Sequence, residues 1–194
     1  MRRTTTVVVC TLALALCAGY AGAQTAPPPD TLKVSYFVNA NTAGAPDGTV
    51  RMTNPGTSGG NLCAAIYVSA TDQELSECCS CFLSPDGLRT LSLNTDLTSD
   101  PLTGVLLTEG TVYMVSTKTT SGTCPLPTTL TPTPAVRATA INYNSSKSNL
   151  YEATETASQD ATFSATEQTR LQNECGAVQL VGSGKGICTC GTGD

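Results

Sequence analysis

The chain has 194 residues, a formal net charge of −5 at neutral pH, 13% charged residues, no histidine and no tryptophan. This acidic balance is the reverse of a nucleic-acid binder's basic face, and it is repelled by an anionic membrane surface. Low charge with abundant Thr, Ser, Gly and Pro argues against a helical bundle and suits an extracellular β protein.

In chain order, the first predicted element is an export signal over residues 1–23. Arg2 and Arg3 form a short positive start, Val7 to Ala18 an uncharged apolar run, and Ala21-Gly22-Ala23 a small-residue cleavage site that leaves Gln24 first. The apolar run falls short of the roughly 20 residues a bilayer span needs, and no later stretch reaches that length. Leu16 stands where a lipidation signal needs a small residue before Cys17, and the arginine pair lacks the rest of a twin-arginine pattern. General secretion is therefore expected, to the cell surface or the medium, with the periplasm as the alternative. Cleavage removes Arg2 and Arg3, which takes the net charge from −5 to −7.

Residues 24–31 hold Pro27-Pro28-Pro29 and read as an extended lead-in. Residues 32–194 read as a single β-rich domain. Leu32, Val34, Tyr36 and Val38 alternate with Lys33, Ser35 and Asn39, a half-buried strand over Leu32–Asn39. A short strand spans Thr49 to Thr53 and ends in the turn Asn54-Pro55-Gly56. Leu62, Ala64, Ile66 and Val68 give the clearest core strand, with Cys63 on its other face. Ser76 to Phe82 is a cysteine cluster, followed by the turn Ser84-Pro85-Asp86-Gly87. Further strands are expected over Leu88 to Leu93, Val105 to Leu107, Thr111 to Thr117 and Ala135 to Tyr143, with loops at 119–134 and 142–148. Ser164 with Glu167 three residues on is a capping box. Leu171, Cys175 and Val178 share one helical face, and Gly176 is a plausible stop. Gly182 to Gly186 reads as a flexible tail leading to Cys188 and Cys190. Seven or eight short strands between turns, with one C-terminal helix and cysteine tail over about 164–194, predict a mainly β fold. The expected architecture is an antiparallel β-sandwich of the immunoglobulin-like class, stapled by disulfides.

Cys10 and Cys17 leave with the signal. Cys63, Cys78, Cys79, Cys81, Cys124, Cys175, Cys188 and Cys190 remain. An even set in an exported chain reads as up to four disulfides, and eight cysteines allow 105 pairings. Neighbouring cysteines rarely bond to each other, so each cluster needs distant partners. Three bonds between an early trio (Cys78, Cys79, Cys81) and a late trio (Cys175, Cys188, Cys190), plus Cys63 with Cys124, form the simplest arrangement. Zinc or copper(I) ligation is the competing chemistry, disfavoured by the oxidising compartment and by spacing.

Other motifs carry less. Gly56-Thr57-Ser58-Gly59-Gly60 matches the pattern around a hydrolase serine, yet the chain has no histidine to take the serine proton. Gly184-Lys185 lacks the flanking residues of a phosphate loop. Asp96, Asp100 and Glu109 lack calcium-loop spacing and read as solvated loop charges. No residue is assigned to catalysis, to a cofactor or to a metal.

Asn39-Ala40-Asn41-Thr42-Ala43-Gly44, Glu77-Cys78-Cys79-Ser80-Cys81, Ser84-Pro85-Asp86-Gly87-Leu88, Asn173-Glu174-Cys175 and Gly186-Ile187-Cys188-Thr189-Cys190 together resemble a set of secreted acidobacterial proteins of unknown function. The resemblance spans nearly the whole mature chain. It implies export and a bacterial source and carries no activity, ligand or catalytic residue. The expected role is a secreted or cell-surface, non-enzymatic structural protein. As a subunit of an extracellular assembly or fibre, it would form a homo-oligomer by lending strand Leu32–Asn39 to a neighbour's sheet. The alternatives are a binding or adhesion module for polysaccharide or protein, and a hydrolase that works without histidine.

Overall fold

The computed structural model describes residues 31–145 and 150–191. The expected export signal, the lead-in up to Asp30 and the end of the 142–148 loop lie outside the described residues. Nine strands and one long helix follow in order: β1 (Leu32–Phe37), β2 (Thr49–Thr53), β3 (Leu62–Ser69), β4 (Leu75–Leu83), β5 (Leu88–Ser92), β6 (Gly110–Lys118), β7 (Arg137–Ser145), β8 (Tyr151–Ala157), β9 (Gln159–Asp160) and α1 (Ala165–Val181). A single π-helical turn, Leu93–Leu97, follows β5. All strand pairings are antiparallel. One sheet has the order β4-β3-β6-β1-β9 and the other β5-β2-β7-β8. The fold is a mainly β, two-sheet sandwich with a helix on one outer face.

All eight residues of β3 are buried, because both of its faces are covered. Leu62, Ala64, Ile66 and Val68 point between the sheets and meet Val50, Met52, Leu91 and Ala140 of the opposite sheet. Ala65 and Tyr67 point outward, into a second cluster with Leu171, Cys175 and Val178 of α1. The 119–134 connection roofs the same outer face. The Tyr67 hydroxyl donates to the Pro127 carbonyl at 2.6 Å, and burial raises the phenol's pKa. Cys63, bonded to Cys124, ties this roof to the sheet.

Several boundaries differ from expectation. The cysteine cluster is itself a strand, β4, paired in continuous register with β3 from Glu77 to Leu83 and with a register shift at Ser76. Val105 to Leu107 is not a strand: Val105 and Leu106 are exposed in a loop. An apolar triplet without a partner edge has no ladder to join. The 142–148 loop begins later than expected, since β7 runs to Ser145 and pairs with β8, a strand with no apolar signature. Gly176 does not stop α1. The helix continues to Val181 and closes with the Gly182 N–H on the Val178 carbonyl. At its start, the Ser164 hydroxyl accepts from the Glu167 N–H at 3.1 Å, while the Glu167 carboxylate takes Arg170. Most consequentially, β1 is interior. It pairs with β6 over its full length and with β9 at Lys33 and Val34, so one edge is wholly engaged within its own sheet and the other in part.

Candidate functional site: the disulfide strap along the sandwich edge

Strand alternation distributes the β4 cysteines. Cys79 and Cys81 face the space between the sheets, and Cys78 faces α1. The bonds are Cys78–Cys175, Cys79–Cys188 and Cys81–Cys190, with Cα–Cα separations of 5.9, 5.2 and 5.3 Å. Cys63–Cys124 spans 5.5 Å. These separations lie in the ordinary disulfide range. The structure thus joins the early trio to the late trio and fixes one pairing among the alternatives the spacing left open.

The partners advance together, 79 to 188 and 81 to 190, so the C-terminal segment runs parallel to β4 along its outer edge. The Cys78 N–H donates to the Gly186 carbonyl at 2.9 Å. Past Gly186 the segment crosses toward the other sheet. The Thr189 N–H donates to the Asp96 carbonyl at 2.9 Å and its hydroxyl to Asp96 Oδ1 at 3.1 Å. Arg89 of β5 donates from Nη1 to the Cys190 carbonyl at 2.7 Å. The segment is a strap that closes one side of the sandwich, held by backbone bonds as well as by sulfur. The expected flexible tail is in fact pinned.

The sulfurs of Cys79, Cys81 and Cys190 lie within 4.8 Å of one another, a spacing suited to a thiolate metal centre. Each is already used in a disulfide, so none is the thiolate a soft cation ligates. The cluster as it stands is structural.

Polar residues line the strap. Glu77 of β4 lies opposite Val68 in the ladder and is fully buried on the inner face. Its Oε1 accepts from the Asp100 N–H at 3.0 Å, and Oε2 has no hydrogen-bond partner among the described residues. Burial is the main cause that pushes its pKa up to about 7. The Asp100 N–H bond and Lys185 act against this, and the Asp100 charge adds to it. Asp100 in turn holds the strap twice. Its carbonyl accepts from the Gly186 N–H at 2.6 Å, and its carboxylate pairs with Lys185 at 2.5 Å, which raises the lysine's pKa. Asp96 and Asp100 are therefore clasps on the strap rather than solvated charges, and Lys185 belongs to the same clasp rather than to a phosphate loop. Sequence reasoning passed over Glu77. Its signal was a lone carboxylate inside the Ser76 to Phe82 cluster.

The remaining motifs fall elsewhere. Ser58 is exposed and its hydroxyl donates to the Gly60 carbonyl at 3.2 Å, within its own loop. Glu109 lines an open groove of about 480 Å³ at one end of the sandwich, with Tyr36, Gln73 and Tyr113. Among the described residues, no helix is long and apolar enough to cross a membrane. No protein-family model, no curated protein and no solved structure matches this chain.

Proposed function

We propose that this protein is an exported, non-enzymatic structural protein of the cell surface or extracellular space, acting as a subunit of an extracellular assembly. The observation that carries the reading is the strap: three disulfides bind α1 and the C-terminal segment to one strand. Loops of about 100 residues closed this way lose on the order of 4–5 kcal/mol of denatured-state freedom each in the entropic account. Such cross-linking serves a body that must persist in an oxidising, protease-rich medium, and it needs export to form. The absence of histidine supports the same reading. The test is electron microscopy of the mature protein, alone and by immunogold on cells of the encoding organism. Ordered fibres or layers are expected. Dispersed monomers in both preparations would overturn the assembly role.

A second reading, a binding module for polysaccharide or protein, is favoured by the groove beside Tyr36. This ring is 65% exposed and offers a flat platform next to Glu109 and Gln73. A glycan array should then give hits that Tyr36→Ala removes, and an array without hits argues against saccharides.

A further inference from the structure

We propose that β8 is a self-association edge, pairing antiparallel with β8 of a second copy of this chain so that Thr154 lies opposite Thr154. This deepens the assembly reading above and rests on it for its biological setting.

A two-sheet sandwich has four edges, and an uncovered edge is a template for another chain's strand. Three of the four are screened here. The β4 edge carries the strap, through the Cys78 N–H on Gly186 and two disulfides. The β9 edge is only two residues long, and beyond it β1 leaves only Ser35 to Phe37, where Asn142 Nδ2 donates to the Tyr36 carbonyl at 3.0 Å. The β5 edge is flanked by the strap, which Arg89 holds, and leads into the π-helical turn, where Asp96 accepts from the Ser92 N–H. The fourth edge, β8, has seven residues, and among the described residues only β7 pairs with it.

β8 lacks the proline, lysine, bulge and inward-pointing charge that guard many natural edges, and its only charged guards are the exposed Glu152 and Glu155. The strand reads Tyr-Glu-Ala-Thr-Glu-Thr-Ala, its register with β7 is unbroken from Tyr151 to Ala157, and six of its seven residues are exposed. Both of its faces are wet, so it gains little from its own core.

Charge placement selects a second copy and a register. A two-fold axis normal to the sheet must pass midway between one residue of β8 and its own copy. Centred on Glu152 or Glu155, it sets a carboxylate against its own copy, which is unfavourable. Centred on Ala153, it leaves Thr156 and Ala157 unpaired within β8. Centred on Thr154, it uses all seven residues: Tyr151 faces Ala157, Glu152 faces Thr156 and Ala153 faces Glu155. No carboxylate then opposes another. Glu155 also lies 3.6 Å from Arg51, which offsets its charge. The pairing would join two four-stranded sheets into one of eight. A single seven-residue strand pair falls below the roughly 1,600 Å² of a standard interface, so the association is concentration-dependent rather than obligate.

Sedimentation velocity of the oxidised mature protein from about 1 µM to about 500 µM, a range that spans weak dimers, tests this. The wild type should shift from monomer toward dimer. Thr154→Lys places like charges across the two-fold axis and should weaken the dimer at least about fivefold. Ala153→Lys sets an ammonium opposite the partner's Glu155 and should hold or tighten it. Both sites are exposed, and unchanged circular dichroism would confirm that the variants fold. A wild type that stays monomeric throughout, or a Thr154→Lys dimer as tight as the wild type's, overturns the inference. Fibres on cells together with a wild type that stays monomeric at every concentration would remove β8 and keep the assembly role. A β8-dependent dimer without any cellular assembly would do the reverse.

Discussion

At the scale of single residues, Glu77 makes stability depend on pH. Its carboxyl is fully buried, with one oxygen unpartnered, and titrates at about 7 instead of 4.5. Between those values the folded state holds a proton that the unfolded chain has released, so stability falls as pH rises. The contribution is complete below about pH 4.5 and is lost as pH climbs through about 7, a loss on the order of 3 kcal/mol. Denaturant titrations of the oxidised protein at acid and mildly alkaline pH should show this slope, and Glu77→Gln should flatten it. Equal slopes in the two proteins would refute the assignment. Gly186 is a second sensitive point. It has φ +79° within the strap, and an added Cβ would lie 2.2 Å from Val178 Cγ1. Gly44 has φ +81° but open space around it. Gly44→Ala should cost only backbone strain, about 1 kcal/mol, whereas Gly186→Ala should cost about 1–3 kcal/mol more, because Val178 and the strap must shift. Matching denaturation midpoints for the two variants would show that the contact is relieved freely.

At the scale of elements, α1 is weakly held by packing alone. It spans 17 residues but buries only Leu171, Cys175 and Val178, while Leu180 and Val181 are exposed. Arg170 adds a contact over the Tyr113 ring at 5.6 Å, and its bonds to Glu167 and Glu174 raise its pKa. Two apolar side chains beside the disulfide offer roughly 1.5–3 kcal/mol each, so the bond to Cys78 is the element's main anchor. Replacing Cys78 and Cys175 together by alanine should lower stability by about 3–4 kcal/mol. Amide exchange should quicken across α1 first, while β3 and β6 stay protected. Uniform exchange across the molecule would mean that the helix and sandwich unfold as one unit. This hierarchy also governs how legible the sequence is. β3 and β6 declare themselves because a buried core imposes period-two apolarity on at least one face. The Leu171, Cys175, Val178 stripe is readable for the same reason at helical spacing. β8 is not readable, since neither face is buried and no hydrophobic pattern is needed to place it. β4 hides as a strand because cysteines stand where aliphatic residues would signal one. The clasp of Glu77, Asp100 and Lys185 joins three distant segments, and nothing local in sequence marks it.

At the scale of the whole molecule, covalent state and compartment are one question. The strap crosses from β4 to the π-helical turn, and its backbone bonds are few, so sulfur is its main hold on that edge of the sandwich. In a reducing cytoplasm the eight cysteines remain thiols. Cys79, Cys81 and Cys190 would then be close enough to compete as soft-metal ligands. The proposed export would resolve the competition in favour of disulfides. Full-length chain produced through an oxidising secretion route should therefore begin at Gln24. Its intact mass should fall eight hydrogens below that of the reduced form, two for each of the four bonds. Under denaturing, non-reducing conditions a thiol alkylator should add nothing. After complete reduction it should add eight groups. Peptide mapping without reductant should recover Cys63 with Cys124 and each β4 cysteine with a cysteine from α1 or the strap. An uncleaved N-terminus would defeat the export premise. Reactive thiols or stoichiometric bound zinc in the secreted protein would instead show that the three clustered sulfurs serve a metal.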